Sequence, residues 1–165
     1  MSDPSNRHAQ WILAAVDEYE APLNRFATRM LVDADLAREA VQDTFLALCR
    51  EASPPPTERL KQWLYKVCQN RCVDLIRRHR PTAPLEASSA PARQRDPAEQ
   101  AEHRESVDRV RSAVDELPPR QRELVLLKFE HEMSYRQMSE ITGLSVSNVG
   151  YQLHVALATI RERLG

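Results

Sequence analysis

Residues 134–157 read SYRQMSEITGLSVSNVGYQLHVAL, and their spacing describes two short helices joined by a tight turn. Ser134 and Gln137 stand at the spacing of a capping box, in which the serine hydroxyl accepts from the Gln137 backbone N–H and the glutamine side chain reaches back. The helix so begun carries Met138 and Ile141 inward and stops at Gly143, a residue suited to a left-handed turn. Ser145 caps the second helix, whose buried stripe is Val146, Val149, Leu153, Leu157 and Ile160. Such a pair is a helix-turn-helix, which lays its second helix in the DNA major groove with the N-terminal residues at base edges. Ser147, Asn148, Tyr151 and Gln152 then face outward, and Asn and Gln suit paired hydrogen bonds to adenine. An ordinary αα-hairpin with a glycine turn is the alternative reading of the same spacing.

Upstream of this pair the chain also reads as helix. Asp96-Pro97-Ala98-Glu99 supplies a cap, a first-turn proline and a capping-box glutamate for a helix running to about Leu117. Pro118-Pro119 ends it and starts another, with Leu124, Val125, Leu127, Lys128 and Phe129 leading to a break near His131. Residues 80–97 have no period and concentrate Pro, Ala and Ser, the pattern of a flexible linker. Before them a long helix spans about Glu58 to Arg78, its core side Leu60, Leu64, Val67, Cys68 and Leu75. Ser53–Pro56 separates it from an amphipathic helix with Leu36, Ala40, Val41, Phe45 and Leu48 on one stripe, Asp33 as its cap and Asp35, Glu39 and Asp43 on an acidic shoulder. Two earlier helices are expected, one from about His8 to Glu20 and one opened by Pro22 that carries Leu23, Phe26, Ala27, Met30 and Leu31.

Composition agrees with an all-α protein of two small helical lobes joined by a flexible linker. The 165 residues include only three glycines, and Ala, Leu, Glu, Arg and Gln favour helix over strand. The expected division is 1–80, a linker at 81–97, and 98–165. The formal net charge of −1 conceals an uneven distribution: acids outnumber bases over 17–51, whereas Lys61, Lys66, Arg71, Arg77, Arg78 and Arg80 face Asp74 alone over 61–80. No stretch has the length of a membrane span and the N-terminus is polar, which points to a cytoplasmic protein without membrane insertion. Cys49, Cys68 and Cys72 form no disulfide framework.

Taken in order, these segments resemble the extracytoplasmic-function (ECF, group IV) sigma factors of the sigma-70 family. Asp35 through Phe45 resembles the acidic stretch of region 2.2. Trp63-Leu64-Tyr65-Lys66-Val67, Asn70-Arg71 and Asp74-Leu75-Ile76-Arg77-Arg78 are similar to regions 2.3 and 2.4. Leu117 through Glu123, Ser134-Tyr135 and Gly143 through Val149 are similar to region 4. The resemblance implies a protein that binds core RNA polymerase and directs it to promoter DNA, reading the minus-ten element with region 2 and the minus-thirty-five element with region 4. It assigns Trp63, Lys66, Asn70, Arg71, Arg77 and Arg78 to the first, and Arg120, Arg122, Arg136, Ser147, Asn148, Tyr151 and Gln152 to the second. It assigns Asp35, Glu39, Gln42 and Asp43 to docking on polymerase, and it suggests control by an anti-sigma factor. The residue types fit independently: Trp63, Lys66, Asn70 and Arg77 share a helix face, where an aromatic can stack on an unstacked base, an amide can read its edge and cations can hold phosphates.

Two departures stand out. Arg38 occupies a place where the family has an acid, and phosphorylation at nearby Thr44 is one way negative charge could be restored, although Thr44 reads more simply as a structural helix residue. Between Arg136 and Arg161 there is no Lys or Arg, so this lobe alone should bind DNA weakly, helped by Arg120, Arg122, Lys128 and Arg136. Cys68, Cys72 and His79 do not supply four converging metal ligands, and neither a phosphate loop nor a nucleophile with a base is evident, so no cofactor and no enzymatic activity are expected. The rival readings are a sigma-like decoy that occupies an anti-sigma factor, and a stand-alone helix-turn-helix regulator.

Overall fold

The computed structural model describes residues 3–79 and 99–165. The expected linker and the expected Asp96 cap lie outside them. The described residues form helices and connecting turns with no strand among them, in keeping with the all-α expectation. The chain divides into two compact units, 1–84 with 140–143, and 85–139 with 144–165.

Three helices that pack on one another build the first unit: α1 (Pro4–Leu31), α2 (Ala34–Arg50) and α3 (Thr57–Arg78). Asp3 caps α1 by accepting from the Ser5 N–H at 3.2 Å, with Pro4 in the first turn. The expected break before Pro22 is absent, because one helix runs through it. An interior proline withdraws a backbone donor and costs roughly 3 kcal/mol. Just beyond it Leu23, Phe26 and Met30 are buried, each stabilising the fold by about 1.5–3 kcal/mol, so packing holds the helix together across the proline. Phe26 meets Tyr65 of α3 with ring centroids 5.5 Å apart and planes inclined by 58°, a favourable tilted arrangement.

Val32 ends α1 in the left-handed region, at φ 55°, while its N–H donates to the Thr28 carbonyl. Asp33 then caps α2, accepting from the Asp35 and Leu36 N–H groups at 2.9 and 3.0 Å, as expected. α2 buries Ala37, Ala40, Val41, Thr44, Phe45 and Leu48, whereas Leu36, expected on this stripe, is only half-buried. Thr44 is fully buried and its hydroxyl donates to the Ala40 carbonyl at 2.8 Å. Burial and this bond agree with a structural role for Thr44 on the helix. α3 buries Leu60, Leu64, Tyr65, Cys68, Gln69, Cys72 and Leu75, and leaves Val67 half-buried rather than in the core.

The remaining helices are α4 (Glu99–Asp115), α5 (Pro119–Val125), a π turn (Leu126–Glu130), α6 (Tyr135–Thr142), of which the second unit holds the residues up to Ser139, and α7 (Val146–Leu164). Pro118 and Pro119 make the corner between α4 and α5 beside buried Leu117. The π turn closes with the His131 N–H donating to the Leu126 carbonyl at 3.2 Å. Five consecutive side chains, Glu123 to Leu127, are buried across the junction of α5 and the π turn, while Phe129 stays 58% exposed. An α-helical period does not anticipate that arrangement.

Candidate nucleic-acid interface

The helix-turn-helix follows its sequence signals closely. Ser134 and Gln137 form the expected capping box, with the Gln137 N–H donating to Ser134 Oγ at 3.1 Å and the Ser134 N–H to Gln137 Oε1 at 2.8 Å. Gly143 has φ 77°, a conformation that costs glycine little. Ser139 Oγ pins the turn by donating to the Leu144 carbonyl at 2.6 Å, and Ser145 Oγ caps α7 by accepting from the Asn148 N–H at 3.1 Å. The buried stripe of α7 consists of Val149, Leu153, Ala156 and Ile160. Val146, expected in that stripe, is 47% exposed, and Leu157 is half-buried with Ala156 buried in its stead. The reason is angular: Val146 is the first helical residue, where the chain is still entering from the turn.

Ser147 and Tyr151 are exposed on α7, Tyr151 by 65%, while Asn148 and Gln152 are half-buried. The Gln121 side-chain amide donates to Gln152 Oε1 at 3.4 Å, which occupies one of the two groups that paired adenine recognition needs. The four cations named for this unit are placed unequally. Arg120 pairs with Glu123 at 3.0 Å, and Glu123 is only 2% exposed, so this arginine compensates a buried acid. Arg122 donates to the Asp115 carbonyl at 3.3 Å. Lys128 Nζ lies 5.3 Å from the Tyr135 ring centroid, a cation–π contact that sequence spacing did not suggest. Arg136 is exposed at the start of α6. Tyr135 also sits close to Gly150, where an added Cβ would meet its Cε2 at 3.4 Å.

On α3 the expected single-strand face is partly assembled. Lys66, Asn70, Arg77 and Arg78 are exposed, and Trp63 is half-buried beside buried Leu64. Arg71 is turned away from that group: its Nε donates to Asp43 Oδ2 at 3.0 Å and its Nη2 donates to the same oxygen. This hydrogen bond raises the Arg71 pKa above its ordinary value against the opposing effect of burial, with further help from the charges of Asp43, Asp74 and Glu39. On α2, Asp35, Glu39 and Gln42 are exposed and form the shoulder without Asp43. Arg38 lies 3.7 Å from Asp35, both well solvated, so the pair contributes little to stability. Sequence reading had placed Asp43 and Arg71 on separate surfaces, since no local spacing reveals a pair 28 residues apart.

Among the described residues no cluster of His, Cys, Asp or Glu could hold a metal ion, and no helix is long and apolar enough to cross a membrane. Residues 15–82 match sigma-70 region 2, and residues 108–160 match sigma-70 region 4. The chain is 33% identical to the ECF RNA polymerase sigma factor EcfG of Rhodopseudomonas palustris, over 93% of this chain and 82% of that protein. It is 25% identical to the ECF RNA polymerase sigma factor SigM of Bacillus subtilis, over 81% and 85% of the two chains. Its fold is similar to that of the sigma factor RpoE solved in complex with the anti-sigma factor NepR from Bartonella quintana, with a TM-score of 0.75, 22% identity, and 92% and 94% of the two chains covered.

Proposed function

Because the chain belongs to the ECF RNA polymerase sigma factors, directing core polymerase to specific promoters and initiating transcription, we propose that it is a group IV member acting in the cytoplasm, with its work divided among three surfaces. The exposed shoulder of α2, Asp35, Glu39 and Gln42, docks on polymerase. The exposed face of α3 reads the minus-ten element as separated strands: Trp63 stacks against a base, Asn70 reads a base edge, and Lys66, Arg77 and Arg78 hold phosphates. Arg71 supports that face through Asp43 rather than by touching DNA. The helix-turn-helix reads the minus-thirty-five element with Ser147, Asn148, Tyr151 and Gln152, while Arg136, Arg120 and Arg122 place it against the backbone.

The observation that carries this reading is the exposed set of one amide and three cations on α3, beside a half-buried tryptophan. A sigma factor is an initiation factor rather than a catalyst, and an anti-sigma protein is the class of regulator proposed for it, on the strength of the complexes in which its fold is found. The test is multiple-round transcription by purified core polymerase on fragmented host genomic DNA, with and without this protein, mapping new 5′ ends. Discrete starts sharing two upstream elements, abolished by Asn70→Ala, are expected. Tight core binding without new starts would overturn the assignment of the α3 face, and absence of core binding would overturn the docking surface.

A further inference from the structure

We propose that α7 draws its specificity from A·T pairs, with Val146 sensing the C5 methyl of a thymine in the major groove; the inference rests on α7 being the minus-thirty-five reading helix. Val146 is the first helical residue after the Ser145 cap, at the end a helix-turn-helix presents to base edges. Its side chain is 47% exposed although Val149 and Leu153 of the same helix are fully buried or nearly so. The remaining outward groups narrow the chemistry. No Lys or Arg lies between Arg136 and Arg161, so α7 has no partner for the paired contact to guanine O6 and N7 over its first four turns. Gln152 shares its side-chain oxygen with Gln121. Asn148, half-buried at the same end of α7, suits the paired contact to adenine, whereas Ser147 and Tyr151 carry hydroxyls that accept or donate and so discriminate weakly between pairs. Among the features that base pairs show in the major groove, the thymine methyl is the apolar one, and Val146 is the apolar group at the front of the helix.

The experiment uses holoenzyme assembled from core polymerase and the full chain, on a promoter duplex recovered from the mapped starts. Each thymine of the minus-thirty-five element is replaced in turn by deoxyuridine, which removes only the methyl. One position should weaken binding about three- to fivefold, as expected for one methyl leaving an apolar contact. Val146→Ala should weaken the thymine promoter by a similar factor and become indifferent to deoxyuridine at that position, while Val146→Thr, which keeps a methyl and the shape, should retain part of the discrimination. Promoter-specific binding that is indifferent to deoxyuridine everywhere, or Val146→Ala retaining the full deoxyuridine effect, would overturn the proposal and leave the sigma reading intact. Holoenzyme binding that does not depend on the minus-thirty-five sequence of unmodified DNA would overturn α7 as the reading helix, and this proposal with it.

Discussion

At the scale of single residues, Val32 and the Arg71–Asp43 pair make the sharpest predictions. Val32 is β-branched, 52% exposed and left-handed, a combination that costs an L-residue about 1–2 kcal/mol. Val32→Gly should therefore raise stability by about 1 kcal/mol, seen as a higher denaturant midpoint with an unchanged slope; a fall would mean that the Val32 side chain makes contacts outweighing the strain. The pair is a cross-helix charged hydrogen bond with both side chains about one-third exposed, so Arg71→Ala and Asp43→Ala should each cost about 1–2 kcal/mol. A double-mutant cycle should show that the second loss adds little to the first. The raised Arg71 pKa fixes the sign of the alkaline dependence. A cation stabilised by folding contributes below its unfolded pKa and loses that contribution only as pH rises through the higher folded value, so no alkaline weakening of this pair is expected between pH 7 and about 10. Neither partner was legible as a partner in the sequence, because each fitted a local motif of its own.

Helices and turns were the most legible level, wherever the signal was local. Asp33, Ser134 with Gln137, Gly143 and Ser145 act within three or four residues of the groups they satisfy, and each does in the structure what its spacing implied. Ser134→Ala should cost about 1 kcal/mol, and hydrogen exchange should locate the loosening at the start of α6. What local reading missed depends on distant packing. Pro22 looked like a helix start because only tertiary burial of Leu23, Phe26 and Met30 carries α1 past it, and Val146 looked buried because an apolar period cannot tell where a helix meets the core. Gly150 offers a further check at this level. Alanine is better than glycine inside a helix by about 0.8–1 kcal/mol, and its Cβ would only touch Tyr135, so Gly150→Ala should stabilise the protein by about 0.5 kcal/mol or more in thermal unfolding.

For the whole molecule, the balance of charge decides how DNA is held. The exposed cations of α3 contrast with a reading helix free of Lys and Arg until Arg161, so α3 should contribute a salt dependence to holoenzyme binding that α7 itself does not. Replacing Lys66, Arg77 and Arg78 together by Gln should flatten the slope of log K against log salt by about 2, given about 0.7 per phosphate contact on single strands, whereas Val146→Ala should leave the slope unchanged. The all-α plan was visible from composition and punctuation, since glycines are few and the prolines cluster between the helical stretches. The Arg71–Asp43 bond gives this molecule a hereditary property as well. It ties the helix proposed to meet polymerase to the helix proposed to meet the promoter, so the two traits cannot drift apart freely, and second-site revertants of a docking defect in α2 should turn up among alleles of α3.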